Sequence, residues 1–93
     1  MTPDLNSKPR LAAGCRLNEI SGGPRMLLMP ERALRLSGPS LEIVERCDGH
    51  RTVGEIIDEL QALYSKAEPA RVERDILDYL ALLHEKRALD FDV

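Results

Sequence analysis

An α+β domain, with a three-stranded antiparallel meander ahead of three helices and a short closing strand, is predicted by three features of this chain. Between Cys15 and Leu36, three short apolar segments are separated by Gly- and Pro-containing turns. From Leu41 to Leu60, LEIVERCDGHRTVGEIIDEL, one apolar-periodic helix gives way to a second across a short turn. From Pro69 to about Arg87 the apolar residues again recur at helical spacing. A helix-turn-helix behind a hydrophobic hairpin has a winged helix-turn-helix-like organisation. The 93 residues allow one domain, and 43% apolar residues with a single Phe and no Trp imply an aliphatic core.

The opening MTPDLNSKPR holds two prolines and no apolar run, so residues 1–12 are expected to be a flexible tail and 13–93 the domain. Cys15 to Ile20 alternates loosely, as a half-buried strand does, and Ser21-Gly22-Gly23-Pro24 is a turn cluster. Arg25 to Met29, RMLLM, is a short apolar run and predicts a strand buried on both faces. After a turn at Pro30-Glu31-Arg32, Ala33 to Leu36 alternates again, with Leu34 and Leu36 on one face and Ala33 and Arg35 on the other.

Ser37 or Gly38 can cap the first helix, and Pro39 suits its first turn because its missing N–H has no helical partner there. Gly49 is expected to stop that helix in a left-handed conformation. Thr52-Val53-Gly54-Glu55 reads as a capping box opening the second helix. Its residues Val53, Ile56, Ile57, Leu60, Leu63 and Tyr64 share one broad face, and Glu55, Asp58 and Glu59 face water. In the last helix Val72, Ile76, Tyr79, Leu80 and Leu83 span one apolar arc, with Leu77 and His84 beyond one edge and Leu82 beyond the other. Leu89, Phe91 and Val93 alternate with Asp90 and Asp92 as a closing strand.

Chemistry is hard to place on this chain. It has no Gly-rich phosphate loop, no nucleophile elbow and no HExxH, so no catalytic residue, metal site or cofactor is expected. Cys15 and Cys47 lack a CxxC spacing and read as two packed thiols. No apolar run is long enough for a membrane span and no signal core opens the chain, which suggests a cytoplasmic protein.

Charge weighs against nucleic acid. Residues 1–37 carry six Lys/Arg against three Asp/Glu, whereas residues 38–93 carry seven against thirteen. A reader of duplex DNA neutralises several phosphates, yet the helix that would enter the groove, Val53 to Tyr64, has three acids and no base. A peptide partner fits better: if Ala33 to Leu36 is the edge of the meander, its unpaired main chain can accept another strand. The surplus apolar flank of the last helix serves either that peptide or the packing of the tail strand or a dimer partner.

RMLLMPERALRLSGPSLEIVERCDGHRTVGEIIDEL resembles the core of the PqqD family of pyrroloquinoline quinone (PQQ) biosynthesis. The matching residues are the apolar strand, Pro30-Glu31, the strand ending at Leu36, the helix ending Cys47-Asp48-Gly49, then Arg51-Thr52-Val53 and Ile56. Arg16-Leu17, Tyr79 and Leu83 extend the likeness over about residues 15–90. Cys15 stands where the family usually has an aromatic residue, and Asn18-Glu19 where Gln-Trp is frequent.

The resemblance implies a non-enzymatic peptide chaperone that binds the precursor peptide PqqA and presents it to the radical SAM enzyme PqqE. It implies capture on Ala33, Leu34, Arg35 and Leu36, and along the last helix on Asp75, Ile76, Tyr79, Leu82 and Leu83. The basic hairpin would favour an acidic peptide, and the acidic helix face would dock the enzyme. Alternatives are a recognition domain of another modified-peptide pathway, a winged-helix DNA-binding regulator, and a homodimer formed by hairpin exchange.

Overall fold

The computed structural model describes residues 3–18 and 23–92. Its elements run in the order β1 (Lys8–Leu11), β2 (Arg16–Leu17), β3 (Arg25–Leu28), β4 (Ala33–Leu36), α1 (Pro39–Glu45), α2 (Val53–Leu63), α3 (Pro69–Glu85) and β5 (Leu89–Asp92). The expected meander is present as an antiparallel sheet in the order β2-β3-β4. Alternation along β4 falls as read from the sequence: Ala33 and Arg35 are exposed, Leu34 is half-buried and Leu36 is buried. In β3 only Leu27 is fully buried, so that strand is covered less completely than its apolar run suggests. Of the expected first strand, Arg16–Leu17 is paired; Glu19 and Ile20 lie outside the described residues, as do Ser21, Gly22 and Val93.

Asn18 holds the first hairpin together. It is buried, its Nδ2 donates to the Pro24 carbonyl at 3.0 Å, and its Oδ1 accepts from the Met26 amide at 2.9 Å. The core behind the sheet is aliphatic, built on Leu27, Ile43, Val44, Val53, Ile56, Leu60, Ile76, Leu80, Leu83 and Leu89.

The largest departure from the sequence reading is at the amino terminus. Residues 8–11 are not a flexible tail: they pair antiparallel with β5, with Pro9 opposite Phe91 and Leu11 opposite Leu89. Ser7 and Pro9 are buried. Residues ahead of the strand close the amino end of α2. Val53 donates its N–H to the Ser7 carbonyl at 2.9 Å and Gly54 to the Leu5 carbonyl at 3.0 Å. Glu55 donates to Thr52 Oγ1 at 3.1 Å, and the Glu55 carboxylate accepts from the Thr52 amide at 2.9 Å. A helix start leaves unpaired donors that need partners; here the capping box supplies some, as predicted, and the supposed tail supplies the rest.

Gly49 also has another role than the one expected. α1 ends at Glu45, with Arg46 as its C-cap, three residues before the glycine. Gly49 is left-handed, φ 80°, and gives its N–H to the Pro9 carbonyl at 2.9 Å, so it ties the interhelical turn to β1. The acidic face of α2 is likewise not simply solvated. Glu59 bonds Arg46 Nε at 3.0 Å and Arg51 Nε at 2.9 Å, Arg46 also meets Glu42, and Arg51 meets Asp48. Glu55 is exposed but engaged in the cap, and Asp58 is exposed, whereas Glu59 is half-buried against the two arginines. Leu63, expected on the buried face, is 53% exposed because it lies at the last turn of α2, beyond the core.

Two outcomes follow from the α2 cap. Thr52→Ala is expected to cost about 1 kcal/mol of unfolding free energy, measured by urea denaturation. The pH dependence has a definite sign. The Thr52 amide and hydroxyl hold the Glu55 carboxyl below its ordinary value of 4.5. Burial pushes Asp48 upward, but the amides of His50 and Arg51 and the Arg51 charge outweigh it and leave Asp48 below 3.8. Carboxyls lowered on folding stabilise above their unfolded values, and that contribution is lost as pH falls through the folded ones. Stability should therefore decline below about pH 4.5, and less steeply in Thr52→Ala, which loses the hydroxyl partner.

Candidate functional site

β4 is an outer strand of its sheet, with no strand on its far side among the described residues. Met29 donates its N–H to the Arg32 carbonyl at 2.9 Å, and the register sets Leu27 against Leu34 and Arg25 against Leu36. Bonded pairs alternate along an antiparallel ladder, so the amides and carbonyls of Leu34 and Leu36 face β3. Those of Ala33 and Arg35 face the open side.

The segments that flank β4 share concavities with α3 and with the turn after it. At the Leu36 end, a cleft of about 300 Å³ is lined by Pro39 and Ile43 of α1, Leu60 and Tyr64 at the end of α2, and Val72, Asp75 and Ile76 of α3. At the Ala33 end, Met29 to Arg32 share a second concavity with Lys86 and Arg87, just beyond α3. Between the two, the Tyr79 phenol lies beside the Ser40 hydroxyl; burial pushes its pKa up while Ser40 works against that rise. The two ends of β4 are thus matched to opposite ends of α3.

The α3 residues named from the sequence divide by exposure. Asp75 is exposed on the cleft rim, Ile76 is buried at its floor, Tyr79 is half-buried and Leu82 is 41% exposed. At roughly 100° per residue, Val72, Tyr79, Asp75 and Leu82 fall on one flank, and of these Val72 and Asp75 line the cleft. Leu83 is fully buried and packs in the core. The opposite flank is occupied elsewhere, with Leu77 and Ala81 sharing a concavity with Pro3, and His84 packed in a tilted arrangement against Phe91 at 5.1 Å between centroids. Sequence reasoning missed Pro39, Ile43 and Tyr64, whose approach to α3 depends on how three helices pack.

Burial works against the thiolate form at both cysteines. Cys47 is buried and donates to the Ile43 carbonyl at 3.2 Å, and burial with the nearby Asp48 charge pushes its pKa up to about 12. Burial and the Asp90 charge also raise Cys15. Among the described residues no group of His, Cys, Asp or Glu is arranged to hold a metal ion, and no helix is long and apolar enough to cross a membrane.

Residues 25–89 match the family model described as coenzyme PQQ synthesis protein D (PqqD). The chain is 36% identical over 85 residues to the "PqqA binding protein" of Xanthomonas axonopodis pv. citri, covering 90% of this chain and 91% of that protein. It is 39% identical over 84 residues to the bifunctional coenzyme PQQ synthesis protein C/D of Methylorubrum extorquens, covering 88% of this chain and 22% of that longer protein. Among solved structures, the PqqD portion of Methylobacterium extorquens PqqCD superposes with a TM-score of 0.69 at 38% identity, over 88% of this chain and 87% of that one. That structure is described as a functional, stand-alone recognition element for ribosomally synthesised and post-translationally modified peptides. The meander, the three helices and their order agree with it, and the fold is that of a non-catalytic recognition domain. On the family match and on the similarity to the Xanthomonas relative, the chain belongs to the PqqD family.

Proposed function

We propose that this protein is the peptide-recognition element of a PQQ biosynthetic system. It takes the precursor peptide PqqA as an added strand on β4 and presents it to the radical SAM enzyme PqqE. The observation that carries this reading is the open β4 edge, with the main chain of Ala33 and Arg35 directed outward, whose flanking segments share concavities with α3 and with the turn after it. The name and coverage of the Xanthomonas relative support it.

Each added main-chain hydrogen bond contributes about 0.5–1.5 kcal/mol net, and a fully buried aliphatic side chain about 1.5–3 kcal/mol. A few of each reach micromolar affinity. Holding the peptide beside the enzyme then raises its effective concentration without any chemistry from this chain. Asp75, Tyr79 and Leu82 would meet the peptide, Ile76 would floor its cleft, and Leu34, Leu36 and Leu83 would support the surface from inside.

Titration of the ¹⁵N-labelled protein with synthetic PqqA is the test. Amide shifts concentrated at Ala33–Leu36 and Asp75–Leu82 are expected. No shift with PqqA but the same pattern with another leader peptide would move the protein to a different modified-peptide pathway. Shifts confined to α2 would sink the strand-addition reading.

A further inference from the structure

The concavity at the Ala33 end of the edge is built differently from the cleft at the Leu36 end. Ala13, Cys15, Met29 and Pro30 form its apolar part, and Arg32, Lys86 and Arg87 bring three cations to it against one acid, Glu31. All three cations are exposed, and none makes an ion pair among the described residues.

One of the three is held at a conformational cost. Arg87 has φ 62°, and it alone among the described non-glycine residues has positive φ. It occupies the turn after α3, where its N–H bonds the His84 carbonyl at 3.0 Å and the next amide, Ala88, bonds Leu83 at 2.9 Å. Glycine takes that left-handed position freely and is the common choice there. An arginine kept where glycine is favoured, with its charge beside two others, points from backbone strain to a use for the charge.

We infer that the Arg32–Lys86–Arg87 pocket is a carboxylate subsite for the bound peptide, and that β4 therefore selects peptides by a two-ended pattern. An Asp or Glu sits at the Ala33 end, and a large apolar side chain enters the Pro39–Ile43–Val72–Ile76 cleft at the Leu36 end. Four β4 residues separate the two sites; at about 3.3 Å per extended residue the two peptide positions lie about five residues apart. The inference rests on strand addition at β4 and adds the charge preference and the spacing to it.

The variant that isolates the subsite is Arg87→Gly, which removes the charge and relieves the backbone. Its melting temperature should be equal to or above that of the parent. Its Kd for PqqA should rise about three- to tenfold at low salt, and the difference should vanish in about 1 M NaCl, where screening is nearly complete. PqqA with every Asp and Glu replaced by Asn and Gln should bind parent and variant alike. Equal affinity of parent and Arg87→Gly for unmodified PqqA would overturn the subsite. If the same variant instead weakened binding to PqqE, the pocket would belong to the enzyme and the proposal would also fall. Ala33→Pro separates the two readings, since it should weaken acidic and neutralised peptides equally. Loss in Ala33→Pro without loss in Arg87→Gly leaves strand addition standing and removes only the charge preference.

Discussion

A chain lacking residues 1–11 is expected to lose about 3–5 kcal/mol of unfolding free energy, on the order of half of what a domain this size possesses. Three losses add up. The Val53 and Gly54 amides lose the Ser7 and Leu5 carbonyls, and each unpaired helix donor costs about 1 kcal/mol or more where water does not replace the bond. β5 loses its ladder partner, which exposes Leu89 and Ala88, now 1% and 0% accessible. Pro9 and Leu11 no longer bury apolar surface. The midpoint of thermal unfolding followed by circular dichroism should fall by about 15–30 °C. Faster hydrogen exchange at Val53 and Gly54 would assign part of the loss to the α2 start. An unchanged melting curve would return these residues to the status of a tail.

Proline placed at adjacent positions of β4 should separate binding from folding. The Ala33 amide faces the open side, so Ala33→Pro removes no bond of the β3–β4 ladder, and edge strands accept proline at such positions. Its melting temperature should stay within a few degrees of the parent. Peptide affinity should fall about tenfold, because one strand-addition bond is lost and a peptide carbonyl is left facing the ring. Leu34→Pro removes an amide that bonds β3 and should cost about 2 kcal/mol or more in stability. Calorimetric titration with PqqA, paired with thermal melts, reads both quantities. If the two variants lost stability equally, the register assigned to the edge would be wrong.

Much of this fold was legible because it is local. The β4 alternation of Ala33 and Arg35 against Leu34 and Leu36, the Thr52–Glu55 capping box and the Pro69 start of α3 each depend on residues a few positions apart, and each was read at the position it occupies. The β1–β5 pairing joins Lys8 to Asp92. Its first strand holds Pro9 and too short an alternation to register as a strand by itself. Glu59 looked solvated because a helical wheel shows which way a side chain points, not that Arg46 and Arg51 wait on the facing segments. Leu63 looked buried for the same reason: periodicity sets the direction of a side chain, not where the core ends.

The candidate site divides along the same line. Residue order alone determined the class of fold, the outward face of β4 and the apolar arc of α3, since backbone geometry at periods of two and 3.6 residues imposes them. Only the tertiary structure decided that β4 is an outer strand, that Val72 and Asp75 rather than Leu77 flank the cleft, and that Arg32 meets Lys86 and Arg87 at the other end. Those facts depend on how separate elements bury one shared core, and the packing of that core is a property of the whole chain that no short window contains.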